Sequence, residues 1–374
     1  MRDDIYWLWL TTTKGLTYRT QRVLVEHFGS AKKAYECNNY SGINGITISA
    51  MNLLKKKSLD KAEKIMMETE QLGAYIINYE DEEYPMLLRE TAKPPYVIYA
   101  KGKHLIWKDM LSIAVVGTRT SNGYGTHATD YIAGGLAAAG AVIVSGMARG
   151  IDAAAANAAI NNNGITVAIL GSGIDVIYPR EHKELFERIC ENGVVMTEFP
   201  PGTRPLRENF PRRNRIIAGL ASGVLVAQAP ENSGALITAG LALDYNRDVF
   251  AVPADIFDLS NTGANKLIQA GAKLVLNAED ILSEYPDFVP AVVTDIKQTH
   301  SDVSDEDKNI KRDDLNEIEN NVLSVLSKGS LHIDEITRIL GISASEMNVT
   351  MLMLEMKSLV RNAGGNVFEL RRGN

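Results

Sequence analysis

Between about residues 74 and 288 the chain repeats one pattern: a short unbroken apolar run, a Gly-containing turn, then a helix-forming stretch. The runs are AYIINY, SIAVVG, AVIVSG, TVAILG, VVMTEF, GVLVAQ, DVFAVP and KLVLN. A strand with one wet face alternates polar and apolar residues, whereas an unbroken apolar strand is covered on both faces. Such strands alternating with helices predict a Rossmann-like, doubly wound α/β fold with a mostly parallel sheet.

The flanks have other textures. Residues 1–72 read as a helical domain in which Leu16, Val23, Leu24, Phe28 and Ala31 keep helical spacing and Gly29-Ser30 ends one helix and caps the next. After the break at SGINGI, MNLLKKKSLDKAEKIMMETEQLG reads as one Lys-rich helix. Short helices around Gly-containing turns resemble helix-hairpin-helix or sterile-alpha-motif-like modules, and a plain packing domain has the same pattern. Residues 73–289 hold the sheet, and residues 290–315 lose periodicity and read as a linker. Residues 316–374 give helix, helix, a GIS turn, helix and a hairpin turning at Gly364-Gly365, the order of a winged helix. Its third helix and flanks carry Glu346 and Glu355 against Lys357 and Arg361. That neutral balance favours a protein-contact or accessory role over reading duplex DNA.

Charge excludes one mode of action. With 39 Lys+Arg against 46 Asp+Glu the 374-residue chain carries −7, so it cannot hold a polyanion by bulk attraction. The charges are segregated, however. Residues 197–215, TEFPPGTRPLRENFPRRNR, carry +3, while residues 302–319 carry −5. Cys37 and Cys190 lie apart without a cluster of His, so neither a disulfide framework nor a metal site is expected, and a reducing cytoplasm is the default. The N-terminus has no signal-peptide pattern, and no apolar stretch is long enough for a membrane span.

Four strand-to-helix loops are rich in small residues. They contain Gly117, Thr118, Arg119 and Ser121; Ser145, Gly146 and Arg149; Gly171 and Gly173; and Ser233 with Gly234. In an open parallel sheet these loops meet at the carboxyl ends of the strands, where backbone N–H groups and helix N-termini attract anions. Each alone could equally be a tight structural turn; together they suggest a polyphosphate or nucleic-acid backbone. The Arg-rich segment adds Arg207, Arg212, Arg213 and Asn214 with Phe199 and Phe210 interleaved, which suits single-stranded nucleic acid. In the plainer reading the Phe residues plug the core and Arg215 is structural. Catalytic signatures are scarce: there is no P-loop, no H-E-x-x-H and no nucleophile elbow. Asp152, Asp175 and Glu198 read as helix caps or acceptors for loop amides, and no catalytic residue, metal or cofactor is expected.

The blocks YPMLLRETAKPPYVIYAKG, IAVVGTRTSNGYG, VSGMARGID, VAILGSGIDVIYP, EFPPGTRP, NFPRRNRIIAGL, SGALITA, DVFAVP and GANKLIQAGAKLV, in this order, resemble the DNA-processing protein A (DprA/Smf) family. The resemblance is close over residues 74–290 and looser in the flanks. It implies a bacterial cytoplasmic protein that binds single-stranded DNA without a reaction, protects it and loads the RecA recombinase, in natural transformation and recombination. It also implies a homodimer through the Rossmann-like domain, and a strand-binding pocket using Arg119, Arg207, Phe210, Arg212 and Arg213.

Three positions depart from the family pattern: Ala156 stands where His is usual, Gln228 where Glu is usual, and Ala254 where Gly is usual. The departures remove acid–base groups, which fits a binder better than an enzyme. The alternative class is a nucleotide-binding enzyme similar to nucleoside-monophosphate phosphoribohydrolases, whose PGGxGTxxE motif would fall at APENSGALITAGLAL; no Glu follows Thr238 here. A third reading is an adaptor whose winged helix binds a protein.

Overall fold

The computed structural model describes residues 3–289, 317–326, 329–356, 359–364 and 367–370. The expected linker and Gly365 of the expected hairpin turn lie outside the described residues. The chain divides into two compact units, Met1–Ile296 and Lys297–Asn374.

The first unit opens with helices α1 (Asp4–Thr12), α2 (Tyr18–Phe28), α3 (Ala31–Glu36), α4 (Ile48–Lys55) and α5 (Asp60–Gln71). Gly29 adopts φ 76° to end α2, and the Ser30 side chain caps α3 by accepting the Lys33 N–H, as the sequence suggested. The Lys-rich stretch is two helices rather than the single helix expected. Lys56 leaves helical geometry at ψ 67°, and the Ser58 hydroxyl accepts the Asp60 N–H at the start of α5. Helical periodicity alone does not register such a break, because the residues around it are exposed or half-buried either way.

The sheet has nine strands: β1 (Tyr75–Asn78), β2 (Val97–Gly102), β3 (Ser112–Gly117), β4 (Val142–Ser145), β5 (Thr166–Ile169), β6 (Val194–Thr197), β7 (Gly223–Gln228), β8 (Asp248–Ala251) and β9 (Lys273–Leu274). Their order is β1-β2-β6-β5-β4-β3-β7-β8-β9. Strands β6 to β9 of that row pair in parallel, whereas β2 runs antiparallel to both β1 and β6. The sheet is the doubly wound, mostly parallel one expected, with one further strand, VIYAKG. The short helix α6 (Met86–Arg89) lies between β1 and β2. Helices α7 (Gly123–Ala138), α8 (Ile151–Asn161), α9 (Lys183–Asn192), α10 (Asn209–Leu220), α11 (Gly234–Asp244), α12 (Thr262–Gln269) and α13 (Glu279–Leu282) complete the unit.

Strand residues divide alternately between two faces. Val116, Val144, Val167 and Val226 pack with Ile216, Ile217 and Leu220 of α10 and with Ala235 and Ala239 of α11. Val115, Ile143 and Leu225 pack with Ile132 and Leu136 of α7 and Ile151 of α8. The N-terminal helices and α9 extend that second layer: Trp7, Leu10, Leu24 and Leu54 share one core with Tyr99, Ala168, Val195 and Ile189. The chain winds from β3 through β4 and β5 to β6, then returns to β7 on the other side of β3. The winding therefore reverses between β3 and β7, which is where open α/β sheets form their ligand crevice.

The second unit contains α14 (Glu317–Leu326), β10 (Leu331–His332), α15 (Ile333–Leu340), α16 (Ala344–Met356), β11 (Val360–Gly364) and β12 (Val367–Leu370). Gly341 ends α15 at φ 65°, and Val322, Ile336, Met351, Leu354 and Phe368 form the core. The winged-helix order holds, with a short added strand, β10, pairing with β12.

Candidate functional site

A crevice of about 820 Å³ lies at the carboxyl ends of β3 and β7, the winding reversal. One wall is the loop after β3. Gly117 is held by close approach, since a Cβ there would meet the Ile151 side chain at 2.5 Å and the Gln228 carbonyl at 2.7 Å. Thr118 N–H donates to that carbonyl at 2.8 Å, and Asn122 caps α7 by accepting the Gly125 N–H. Gln228 is fully buried; its Oε1 accepts the Asn122 N–H and its Nε2 donates to the Ser260 hydroxyl. The opposite wall is the loop before α11, where the Ser233 hydroxyl caps the helix by accepting the Ala235 N–H.

Helix α10 closes the crevice with the residues that carry most of its chemistry. The guanidinium of Arg119 sits over the Phe210 ring, 5.2 Å from its centroid, and the Tyr178 ring stands 5.5 Å from the same Phe. Arg119 and Arg207 are exposed, whereas Phe210 is half-buried. A flat cation over a flat ring, open to solvent on one side, is a surface on which a base can stack and a phosphate can be paired.

Arg213 has a different environment. It is 3% exposed, and its guanidinium donates to the Gly146 and Ile169 carbonyls and to Asn214 Oδ1. Burial lowers its pKa to about 10, with the Asp152 charge opposing and the Arg119 charge adding to the shift. Asp152, also buried, accepts the N–H groups of Gly146 and Ala148 at 3.1 and 3.3 Å. Burial raises its carboxyl pKa, while Arg213 and the two amide bonds pull it down. The pair forms the floor of the crevice and fixes the loop after β4.

Of the residues singled out in the sequence, Gly117, Thr118, Arg119, Asp152, Arg207, Phe210, Arg213, Asn214, Ser233 and Gly234 line this crevice. The others lie around it. The Ser145 hydroxyl is buried and donates to the Val115 carbonyl, and Gly146 provides space for Arg213. Gly171 does the same for Phe210, and Gly173 N–H donates to the Thr203 carbonyl. Arg149 is turned outward in an ion pair with Glu181, and the Ser121 hydroxyl is 2.9 Å from that of Thr126. Arg212 stands over the Phe199 ring, away from the crevice. Glu198 pairs with Arg215, which also donates to the Lys93 carbonyl, and Asp175 accepts the Gly202 N–H. Sequence reasoning missed Tyr178, Thr120 and Asn232 in the lining. A Tyr beside Pro179 at the end of the GSGIDVIYP loop was the available signal.

Among the described residues no helix is long and apolar enough to cross a membrane, and no group of three or more His, Cys, Asp or Glu could hold a metal ion.

Comparison with known proteins gives consistent matches. Residues 75–286 match the family model for DNA recombination-mediator protein A, and residues 308–366 match the DprA winged helix domain. The DNA processing protein DprA of Bacillus subtilis is 39% identical over 227 residues, covering 61% of this chain and 76% of that protein. DprA of Streptococcus pneumoniae is 36% identical over 285 residues, covering 76% of this chain and 99% of the other. The X-ray structure of the pneumococcal protein superposes with a TM-score of 0.64 at 34% identity, over 76% of this chain and 99% of that one. DNA processing protein A of Helicobacter pylori, solved for its single-stranded DNA binding mode, gives a TM-score of 0.52 at 28% identity, over 56% and 94% of the two chains. With a reversal-point crevice, a winged-helix unit and a family match across the whole sheet, this chain belongs to the DNA recombination-mediator protein A (DprA/Smf) family.

Proposed function

We propose that this protein binds single-stranded DNA without sequence preference, shelters it and delivers it to the RecA recombinase, in recombination and in the uptake of DNA during natural transformation. The observation that carries this reading is the Arg119 guanidinium over the Phe210 ring in an open crevice at the winding reversal. Guanidinium groups meet phosphates, exposed rings meet bases, and neither reads sequence, so affinity comes mainly from the backbone and from stacking. The Helicobacter pylori relative binds single-stranded DNA, which supports the same use here.

In this proposal the protein acts by binding, with no catalytic step, in the bacterial cytoplasm. Two copies joined through the Rossmann-like domain place two crevices on one strand and raise avidity. The working division is a helical domain at 1–72, a DNA-binding domain at 73–289, a linker at 290–315 and a winged-helix domain at 316–374. The direct test is fluorescence anisotropy with oligo-dT, followed by RecA loading onto strand coated with single-strand binding protein. Arg119→Ala should weaken binding at least tenfold, roughly the value of a charged contact plus stacking. Unchanged affinity in a folded variant would sink the crevice as the binding site.

A further inference from the structure

The helical domain concentrates positive charge in two segments. Residues 12–25 hold Lys14, Arg19 and Arg22 without an acid, and residues 48–64 hold five Lys against Asp60 and Glu63, so each segment carries +3 in a chain of −7. The fold brings the two segments together. Gly15, at φ 90°, turns the chain between α1 and α2, with Leu53 of α4 only 3.1 Å from where a Cβ would stand. Lys61 Nζ, near the start of α5, donates to the Thr12 carbonyl at 2.7 Å. Lys14, Arg19, Lys55 and Lys56 are exposed, and among the described residues none of the four is paired with a carboxylate, whereas Arg22, Lys32 and Lys64 are.

Folding stability does not account for this placement. Lys55 suits the C-terminal end of α4, but Arg19 lies in the first turn of α2, where the macrodipole disfavours a cation and no acid offsets it. Unpaired like charges gathered on one surface repel one another, and a polyanion laid across them removes that repulsion.

The patch adjoins the crevice. Strand β6 runs parallel to β3 through β5 and β4, so the cavity of about 330 Å³ past its carboxyl end opens on the crevice edge of the sheet. Arg212, exposed and without an ion pair among the described residues, lines this cavity, while its neighbour Arg213 lines the crevice. Thr11, Thr12 and Tyr18, from the same α1–α2 segment as Lys14 and Arg19, complete the cavity wall. Cations thus continue from Arg119 and Arg207 through Arg212 to the helical domain. We propose that a strand held in the crevice runs on past Arg212 and that Lys14, Arg19, Lys55 and Lys56 take its phosphates. This inference rests on the single-strand reading of the crevice and lengthens the site, making the helical domain part of the DNA interface as well as cover for the sheet. Contacts of this kind position the strand and read no bases.

The test uses the full chain with oligo-dT of about 6 and about 24 nucleotides, one short and one long against usual single-strand site sizes. The triple variant Lys14→Gln, Arg19→Gln, Lys56→Gln changes exposed side chains only. It should weaken binding of the longer oligomer at least roughly tenfold at low salt and lower its slope of log affinity against log salt by about 2, at about 0.7 for each phosphate, while the shorter oligomer binds as to wild type. Amine labelling of wild type, read by peptide mapping, needs no variant: the longer oligomer at saturation should protect Lys14, Lys55 and Lys56, and the shorter should leave them reactive. An unchanged slope in the folded triple variant, equal loss for both lengths, or full reactivity of the three Lys under the longer oligomer each overturn the proposal. If Arg119→Ala still weakens both lengths, such a result removes the extension alone. If neither oligomer binds, both readings fall.

Discussion

The Phe210 ring occupies the space beside Gly171 so closely that a Cβ on Gly171 would stand 2.9 Å from the nearest ring carbon. The glycine is therefore a socket for the ring. Gly171→Ala should turn the ring off its platform and weaken oligo-dT binding roughly fivefold, with little change in melting temperature, because a half-buried ring can move aside. Phe210→Ala removes the platform outright and should cost about 1–3 kcal/mol of binding, measured by anisotropy.

Arg119 is exposed, so its loss should not disturb folding. Titrating salt separates its two roles. Arg119→Ala should lower the slope of log affinity against log salt by about 0.7, the share of one single-strand phosphate. Arg119→Lys should keep the slope but lose affinity, since an ammonium cannot lie flat on a ring as guanidinium does.

Arg213 should behave in the opposite way. Removing it takes away the charge that opposes the burial-raised pKa of Asp152 and leaves the buried Gly146 and Ile169 carbonyls short of that donor, a change worth about 1–3 kcal/mol for an unsatisfied buried group. Arg213→Ala should therefore show its main effect in thermal unfolding, and Asp152→Asn in the same chain should recover part of the loss. Equal destabilisation by the double and the single variant would refute the electrostatic coupling of the two side chains.

The same pair predicts a pH dependence. Asp152 has its pKa raised by burial, so the folded state holds the proton more tightly than the unfolded chain does. Its contribution is fully present below the unfolded value of about 3.9 and is lost as pH rises through the folded value. Asp152→Asn does not titrate. The melting difference between wild type and Asp152→Asn should therefore move in favour of wild type as pH falls through the folded value.

Gln228 ties the loop after β3 to Ser260 through two hydrogen bonds from a fully buried amide. Gln228→Ala leaves the Asn122 N–H and the Ser260 hydroxyl short of these partners. It should lower stability by about 1–3 kcal/mol in denaturant unfolding and weaken oligo-dT binding through the loosened loop.

The parallel strands were legible in the sequence because burial on both faces leaves an unbroken apolar run, as in SIAVVG and GVLVAQ. VIYAKG escaped because it follows two prolines, ends in Lys-Gly and pairs antiparallel near the sheet edge. The glycine loops were legible as loops, but local sequence does not show which ones side chains have closed. Arg149 is turned outward by Glu181, a partner 32 residues away, and Ser145 bonds a strand 30 residues earlier. Arg212 and Arg213 are neighbours in the sequence, yet one is exposed over a ring and the other forms a buried floor. Only the packing of α10 against the sheet separates them.

The core shared by Trp7, Leu24, Tyr99 and Val195 has a consequence for dissecting the molecule. A polypeptide begun near residue 73 would leave one flank of the sheet stripped of its cover and inclined to aggregate, however neatly the sequence texture changes there. Scissors applied near residues 296 and 297 respect the seam along which the chain divides. Fragments meant to report on the crevice should therefore keep their first helices and be trimmed from the other end.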